Sequence, residues 1–111
     1  MSKHSDIFLV RHIIDAIDKI DQLQNRGGKQ LFDNDFAMAD SFVRELMVIG
    51  EASRSLTDEF RRIHPEVPWK EIIGMRDWLV HGYAEIDWER VWDTAIIDIP
   101  KLKLQIQGIK G

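Results

Sequence analysis

One ten-residue stretch of the chain brings together side chains that could carry out acid–base and phosphate chemistry. It reads GMRDWLVHGY and holds, from Gly74 onward, the guanidinium of Arg76, the carboxylate of Asp77, the imidazole of His81 and the phenol of Tyr83. Histidine titrates near neutrality and can pass a proton, whereas arginine offers a permanently charged planar fork that matches phosphate oxygens. The stretch therefore predicts chemistry on a phosphodiester.

Cleavage of RNA is a reaction that these groups can support without a metal ion. A base deprotonates the 2′-hydroxyl, an acid protonates the leaving 5′-oxygen, and a cation stabilises the pentacoordinate phosphate. His81 is the candidate for proton transfer and Arg76 the candidate for the phosphate. Asp77 is the candidate that holds the imidazole and favours its protonated form.

Helical geometry decides which of these side chains meet. At roughly 100° per residue, Asp77 and His81 share one face of a helix, and Arg76 and Tyr83 share another. Arg76 and His81 are about 140° out of phase. They converge on one substrate only if the arginine side chain sweeps around the helix, if the helix unwinds before Gly82, or if two chains contribute. Association of two chains is therefore a physical option.

The same residues also fit a purely structural interpretation. An Arg, an Asp and a His within one helix can form a solvated face with an i to i+4 ion pair. Glu51, between Gly50 and Ala52, stays open between lining the site and lying on the surface. Structural or solvated positions, not metal binding, are expected for His4, His12, His64, Asp15, Asp18 and Asp21.

Length and composition restrict the class of protein. The 111 residues fit a single domain spanning 1–111, and 44% hydrophobic with 31% charged residues is typical of a chain that folds. The absence of cysteine excludes a disulfide framework, a thiolate zinc site and a cysteine nucleophile. The net charge of −4 argues against a protein that wraps a long duplex, because such binding depends on many Lys and Arg.

The sequence also predicts where the protein works and what it does not need. No stretch approaches the roughly 18 to 20 apolar residues of a membrane span, and the N-terminal segment is too charged for a signal peptide. We therefore expect a cytoplasmic protein without a membrane partner. We expect no metal and no cofactor, because no group of potential ligands has metal spacing.

Hydrophobic periodicity predicts an all-α protein, an antiparallel bundle of four to five helices. The first helix is expected over about 5–25, ending at paired glycines, and the second follows a stripe from Ala39 to Phe60, more than six turns long. We interpret Gly50 in this second helix as a packing device that lets another backbone come close.

Prolines and a cap mark the remaining helices. Pro68 is expected at the first position of a third helix that runs toward Gly82 and carries the chemical residues. Asp87 is placed to cap a fourth helix. Pro100 lies inside that helix, which should kink or restart near Ile99.

The stretch around Arg76 resembles the hallmark of the HepT-like branch of the HEPN superfamily, in which Arg is followed by four residues, His, any residue and Tyr. Here Arg76, His81 and Tyr83 occupy those positions. The similarity spans nearly the whole chain, through the segments VIGEA (48–52), PEVPW (65–69), Ile86-Asp87, Val91-Trp92 and IPKL (99–102).

The resemblance implies a HEPN-like helical bundle with a metal-independent endoribonuclease activity, the toxin of a type VII toxin–antitoxin system. It implies a homodimer with the motifs near the subunit interface, and RNA as the substrate. Arg76 and His81 would be catalytic. Asp77 stands where many relatives have asparagine and would support His81.

The resemblance also implies a partner and a modification. The partner would be a cognate minimal nucleotidyltransferase antitoxin that transfers AMP from ATP to the motif tyrosine, here Tyr83. A second class stays open, since HEPN-like bundles also serve as non-catalytic interaction or nucleotide-binding modules.

Overall fold

The computed structural model describes residues 5–80 and 85–109 of the chain. Within these residues the secondary structure is helical, which confirms the predicted all-α, HEPN-like bundle. The elements are α1 Asp6–Gln24, α2 Gly28–Asn34, α3 Phe36–Ser55, α4 Asp58–Ile63, α5 Trp69–Val80, α6 Trp88–Asp93, a π-helical turn Thr94–Asp98 and α7 Ile99–Gln107.

The first helix forms as predicted. The side-chain oxygen of Ser5 accepts a hydrogen bond from the backbone N–H of Phe8 at 3.1 Å, which satisfies one free donor at the helix start. One face of α1 is buried, through Leu9, Val10, Ile13, Ala16, Ile17 and Ile20. This is the stripe that the sequence periodicity indicates.

A short helix, α2, follows the glycine pair and was not foreseen from the sequence. Gly28 has a φ of +63°, a conformation that side-chain-bearing residues rarely adopt, so the glycine allows the sharp turn between α1 and α2. Phe32 is the buried residue of α2, and its ring centroid lies 5.1 Å from that of Phe42 and 5.2 Å from that of Trp92. Two turns of helix are too short to show periodicity.

The prediction of one helix from Ala39 to Phe60 is wrong, because the chain leaves helical geometry between Ser55 and Asp58. Leu56 and Thr57 are extended, and the Thr57 hydroxyl accepts from the N–H of Phe60 at 3.1 Å to start α4. The hydrophobic stripe continues across the break because Leu56 and Phe60 are both buried. Periodicity alone therefore could not reveal it.

Two side chains stabilise this junction. The carboxylate of Asp6, at the start of α1, accepts from the Thr57 N–H at 2.9 Å and from the Thr57 hydroxyl at 2.8 Å. The guanidinium of Arg61 donates to the carbonyls of Ser53 at 3.1 Å and Arg54 at 3.0 Å. Arg61 thus adds a side-chain donor to carbonyl groups at the end of α3, where the regular helical hydrogen bonds run out.

The fifth helix begins at Trp69, one residue later than predicted. The carbonyl of Pro68 accepts the hydrogen bond of the Ile72 N–H at 3.1 Å, so Pro68 precedes the helix instead of occupying its first position. The indole N–H of Trp69 donates to the carbonyl of His64 at 2.9 Å. This bond ties the start of α5 to the preceding turn.

Both predictions for the last part of the chain are confirmed. The Asp87 carboxylate accepts from the N–H of Arg90 at 3.1 Å and caps α6. The α-helical pattern is then interrupted by the π-helical turn, and α7 begins at Ile99, next to Pro100. Proline has no N–H to donate to the preceding turn, and the wider π turn accommodates this loss.

The core lies between the long helices. Helix α3 is central, since it packs against both α1 and α5, while α7 packs against α1. The fully buried large side chains are Ile13, Ile17, Ile20, Phe42, Leu46, Ile49, Leu79, Val91 and Ile106. In the described parts of the chain, no helix combines the length and apolarity that crossing a bilayer requires.

Candidate active site

Arg76 projects from α5 with its side chain 47% exposed, and it forms an ion pair with a carboxylate on α3. The Nε atom of Arg76 lies 3.6 Å from Oε1 of Glu51, whose side chain is 50% exposed. The sequence left open whether Glu51 lines the site or lies on the surface. The structure shows that Glu51 is a surface residue and also a neighbour of Arg76. This ion pair between α5 and α3 holds the guanidinium of Arg76 at the surface, where solvent can reach it.

A close approach of two backbones brings these partners together. A Cβ atom placed on Gly50 would lie 3.2 Å from the carbonyl oxygen of Ile72 and 3.9 Å from the backbone nitrogen of Arg76. The interpretation of Gly50 as a packing device is confirmed, because any side chain there would press on the α5 backbone. Glu51 follows Gly50 directly and so lies beside this close contact of α3 with α5.

Asp77 lies on a different side of α5. It is exposed and lines a shallow hollow that also includes Trp78, Glu85, Asp87 and Arg90. Across the described residues Asp77 forms no ion pair. The guanidinium carbon of Arg90 lies 4.1 Å from the ring centroid of Trp78, which is a cation–π contact.

Two of the predicted site residues, His81 and Tyr83, lie outside the described residues. The convergence of His81 with Arg76, the support of His81 by Asp77 and the modification of Tyr83 stay predictions. What the structure places is the arginine of the motif, on α5, beside Glu51.

The carboxylate of Glu51 also lines a groove of about 660 Å³ along α1 and α3. The groove walls are mostly apolar. They comprise Phe8, Leu9, His12, Asp40, Val43, Arg44, Met47, Val48, Glu51, Ala52, Ser55 and Ile86. Ile86, three positions after Tyr83 in the chain, is one of these lining residues.

The other histidines in the described residues contact aromatic rings. The ring centroid of His12 lies 4.8 Å from that of Phe8, and the ring centroid of His64 lies 4.6 Å from that of Phe60. These packing contacts fit the structural role expected for both. His4 lies outside the described residues.

The acidic face of α1 is paired with α7. Nζ of Lys103 lies 3.0 Å from Oδ2 of Asp21 and 3.9 Å from Oδ1 of Asp18. Hydrogen bonding to Asp21 raises the pKa of Lys103, and the charges of Asp21 and Asp18 act in the same direction. No group of three or more His, Asp or Glu residues in ranges 5–80 and 85–109 is arranged to hold a metal ion.

Comparison with known sequences decides the family. The sequence model of a family described as "Ribonuclease HepT-like" matches residues 13–109, a range that includes Arg76, His81 and Tyr83. The chain belongs to the HepT-like ribonuclease family. No solved structure matches the chain.

Individual relatives carry names of the same kind. A protein of Caldanaerobacter subterraneus subsp. tengcongensis, named as a "Putative RNase", is 45% identical over 70% of each chain. A "Probable ribonuclease HepT" of Thermococcus cleftensis is 43% identical over 61% of this chain and 62% of its own length. A "Putative RNase" of Methanocaldococcus jannaschii is 36% identical over 87% of this chain and 80% of its own length.

The sequence indicated the HepT-like motif but not the partner of its arginine. Glu51 and Arg76 are 25 positions apart and belong to different helices, so no local spacing links them. The one available signal was Gly50. A glycine inside a helix lowers helix stability by about 1 kcal/mol relative to alanine, so its presence there suggests that a neighbouring group requires the space. Gly50 thus indicates that another helix packs closely at this point, but it does not identify the ion pair between Glu51 and Arg76.

Proposed function

We propose that this member of the HepT-like family is a metal-independent endoribonuclease with His81 as the proton-transfer group and Arg76 as the phosphate clamp. The observation that carries the proposal is the family match across 13–109, within which the Arg-x4-His-x-Tyr pattern is complete. The exposed guanidinium of Arg76 supports it, because a phosphate can reach a group that is 47% exposed.

The proposed reaction is an internal transfer at phosphorus. His81 takes the proton of the 2′-hydroxyl, the 2′-oxygen bonds to phosphorus, and the bond from phosphorus to the 5′-oxygen breaks as the protonated imidazole gives that proton to the leaving 5′-oxygen. The products are a 2′,3′-cyclic phosphate and a free 5′-hydroxyl. Arg76 stabilises the charge that builds up on the phosphate oxygens. Asp77 would orient the His81 imidazole from four positions earlier.

We further propose that the nuclease is the toxin of a type VII toxin–antitoxin pair and that its partner is a minimal nucleotidyltransferase. The partner would transfer AMP from ATP to the Tyr83 hydroxyl, forming a phosphodiester and releasing pyrophosphate. On a continuous helix, Arg76 and Tyr83 are roughly 20° apart, which would put the AMP phosphate beside the guanidinium. The added negative charge also repels an incoming RNA backbone.

The test uses the purified chain and a labelled RNA with and without EDTA. The proposal expects cleavage that survives EDTA and falls by roughly 10²- to 10⁴-fold in His81→Ala and Arg76→Ala, with unchanged helical content by circular dichroism. His64→Ala is the matched control, because His64 belongs to a turn before α5 and contacts Phe60. A folded His81→Ala variant that cleaves at the parental rate refutes the assignment.

The rival interpretation is a non-catalytic HEPN-like interaction module, and the net charge of −4 is the observation that favours it. Expression of the isolated chain in a bacterium separates the two. A nuclease should arrest growth, with the arrest lost in His81→Ala. A module should be tolerated equally in both forms.

A further inference from the structure

An exposed arginine, Arg54, lies one helical turn after Glu51 on α3. It follows Gly50 by four positions and Glu51 by three, so it is next to both on the surface of the helix. This part of α3 meets α5, because Gly50 approaches the Ile72 carbonyl and Glu51 pairs with Arg76. Arg54 therefore lies at the exposed edge of the contact between α3 and α5.

No carboxylate of the described residues forms an ion pair with Arg54. Glu51, one turn before it, pairs with Arg76 at 3.6 Å. Two guanidiniums, one from each helix, thus lie next to a single carboxylate and leave one net positive charge at this edge. Such a local charge attracts an RNA phosphate although the chain as a whole carries a net charge of −4.

The carboxylates that follow on α4 do not cancel this charge. Asp58 forms an ion pair with Arg61, and Glu59 forms one with Arg62 at 3.7 Å. Each of these two pairs is neutral in sum. The charge of Arg54 therefore remains uncompensated on the side of α4 as well.

The backbone that carries Arg54 is held in place. Its carbonyl oxygen accepts a hydrogen bond from the guanidinium of Arg61 at 3.0 Å. The junction that follows is held by the carboxylate of Asp6, which accepts from the Thr57 N–H at 2.9 Å. The end of α3 is thus fixed before a ligand arrives, which lowers the entropy lost on binding.

We propose that Arg54 binds a second phosphate of the RNA, next to the one that Arg76 holds, so that the strand runs along the exposed edge between α3 and α5. This assignment rests on the proposed function, which makes Arg76 the clamp of the scissile phosphate. An arginine fork matches the oxygens of one phosphate, so guanidiniums from two helices take two phosphates. The substrate then needs at least one linkage beyond the scissile one.

Substrate length separates this role from a role in the fold. One substrate is a dinucleoside monophosphate without terminal phosphates, which has the scissile linkage alone, and the other is a longer oligonucleotide. Arg54→Ala should lower kcat/KM on the oligonucleotide roughly 10-fold, mainly through KM, because a charge-assisted hydrogen bond is lost. It should leave the dinucleotide unaffected, whereas Arg76→Ala should impair both. An equal loss on both substrates, or no loss on either, overturns the proposal.

Two further variants test whether the position of the charge matters. Arg54→Lys keeps the charge and should retain most of the activity on the oligonucleotide. Arg44→Ala is the matched control, because Arg44 is an arginine of the same helix with an 80% exposed side chain, about 15 Å from Arg54 along the helix axis. An equal loss in Arg44→Ala would show that the total charge of the chain decides the rate, and this contradicts the proposal.

A binding measurement locates the phosphate itself. The probes are oligonucleotides with 2′-methoxy groups, which cannot attack the phosphorus, and each carries one neutral methylphosphonate linkage at a different position. The parental chain should lose affinity at two adjacent linkages. In Arg54→Ala the loss should persist at one of them and disappear at the other, because a contact that is already absent cannot be removed again. The same pattern of losses in both proteins refutes the contact.

The two measurements also distinguish this inference from the proposed function. If the parental chain binds the probes with the expected pattern but cleaves no RNA, the proposed function is refuted and the second phosphate contact is supported. If the parental chain cleaves RNA and Arg54→Ala matches it on the oligonucleotide, the second phosphate contact alone is refuted.

Discussion

The guanidinium of Arg76 and the carboxylate of Glu51 lie 3.6 Å apart across the contact between α5 and α3. The contact is close because Gly50, the residue before Glu51, has no side chain to separate the two backbones. The position of Arg76 therefore depends on Gly50, which has no reactive side chain.

We expect Gly50→Ala to destabilise the protein and Gly74→Ala to stabilise it. Alanine improves helix propensity by about 1 kcal/mol at either position. At Gly50 the new Cβ would lie 3.2 Å from the backbone oxygen of Ile72, and overpacking of this kind costs about 1 to 3 kcal/mol. At Gly74 the added Cβ would have no heavy atom within 4 Å beyond its own helical surroundings.

Urea unfolding of both variants measures the difference. The free energy of unfolding should fall by roughly 1 kcal/mol for Gly50→Ala and rise by up to about 1 kcal/mol for Gly74→Ala. RNA cleavage should drop in Gly50→Ala alone, because α5 has to move away from α3. A gain in stability for Gly50→Ala would show that the contact has room for a methyl group.

We expect Glu51→Gln to reduce RNA cleavage with little effect on stability. Loss of the carboxylate frees the Arg76 side chain, and a misplaced clamp should lower kcat/KM about 10-fold, or roughly 1.4 kcal/mol. Because both side chains are half exposed, the free energy of unfolding should change by less than about 1 kcal/mol. Glu59→Gln is the control, since Glu59 forms a comparable exposed pair with Arg62 at 3.7 Å. Equal kinetics for both variants would remove Glu51 from the site.

If the proposed nucleotidyltransferase antitoxin modifies this chain, we expect it to silence the parental chain in the presence of ATP but not Tyr83→Phe. Tyr83 is the only tyrosine, so intact mass spectrometry of the parental chain and of Tyr83→Phe after incubation shows whether the added AMP mass depends on the phenol. A phenol ionises near pH 10 and is a poor base at neutrality, so Tyr83→Phe should keep its nuclease activity. Silencing of Tyr83→Phe in the presence of ATP would place the switch elsewhere.

We expect the contact between Lys103 and the acidic face of α1 to stabilise the fold at neutral pH and to fail in alkali. The pKa of Lys103 is raised in the folded chain, mainly by its hydrogen bond to Asp21. A raised pKa contributes stability that is complete below the unfolded lysine pKa, about 10.4, and is lost as the pH rises through the folded value.

The measurement is urea unfolding of the parental chain and of Lys103→Met at pH 8 and pH 11. The difference between the two should shrink at the higher pH. Lys101→Met serves as the control, because Lys101 is an exposed α7 lysine without an ion pair in the described chain. A difference that is the same at both pH values would show that Lys103 acts through its aliphatic stem alone.

The helix boundaries predicted correctly from the sequence are those set by residues only a few positions apart in the chain. Asp87 caps α6 through a residue three positions away, and Pro100 disturbs the helix just before itself. The break after Ser55 has a local part, the Thr57 cap on the N–H of Phe60, and a distant part, the contact of Thr57 with Asp6, which is 51 positions away. A local pattern cannot report the distant contact, and the hydrophobic stripe, which runs across the break without interruption, hides the local cap.

The candidate site likewise has one part that is local in the sequence and one part that depends on helix packing. The motif around Arg76 is local and was identified from its spacing, whereas the pairing with Glu51 requires α3 and α5 to pack.

The π-helical turn Thr94–Asp98 makes one stretch of the chain tolerant of a change in length. A π turn holds one residue more than an α turn while the helices on either side keep their direction. Ile97 in this turn is 50% exposed, whereas Val91 and Ile106 on either side are fully buried. Loss of one residue at Ile97 would convert the turn to α-helix and leave both buried faces directed at the core. Natural variation in chain length by a single residue should therefore concentrate here.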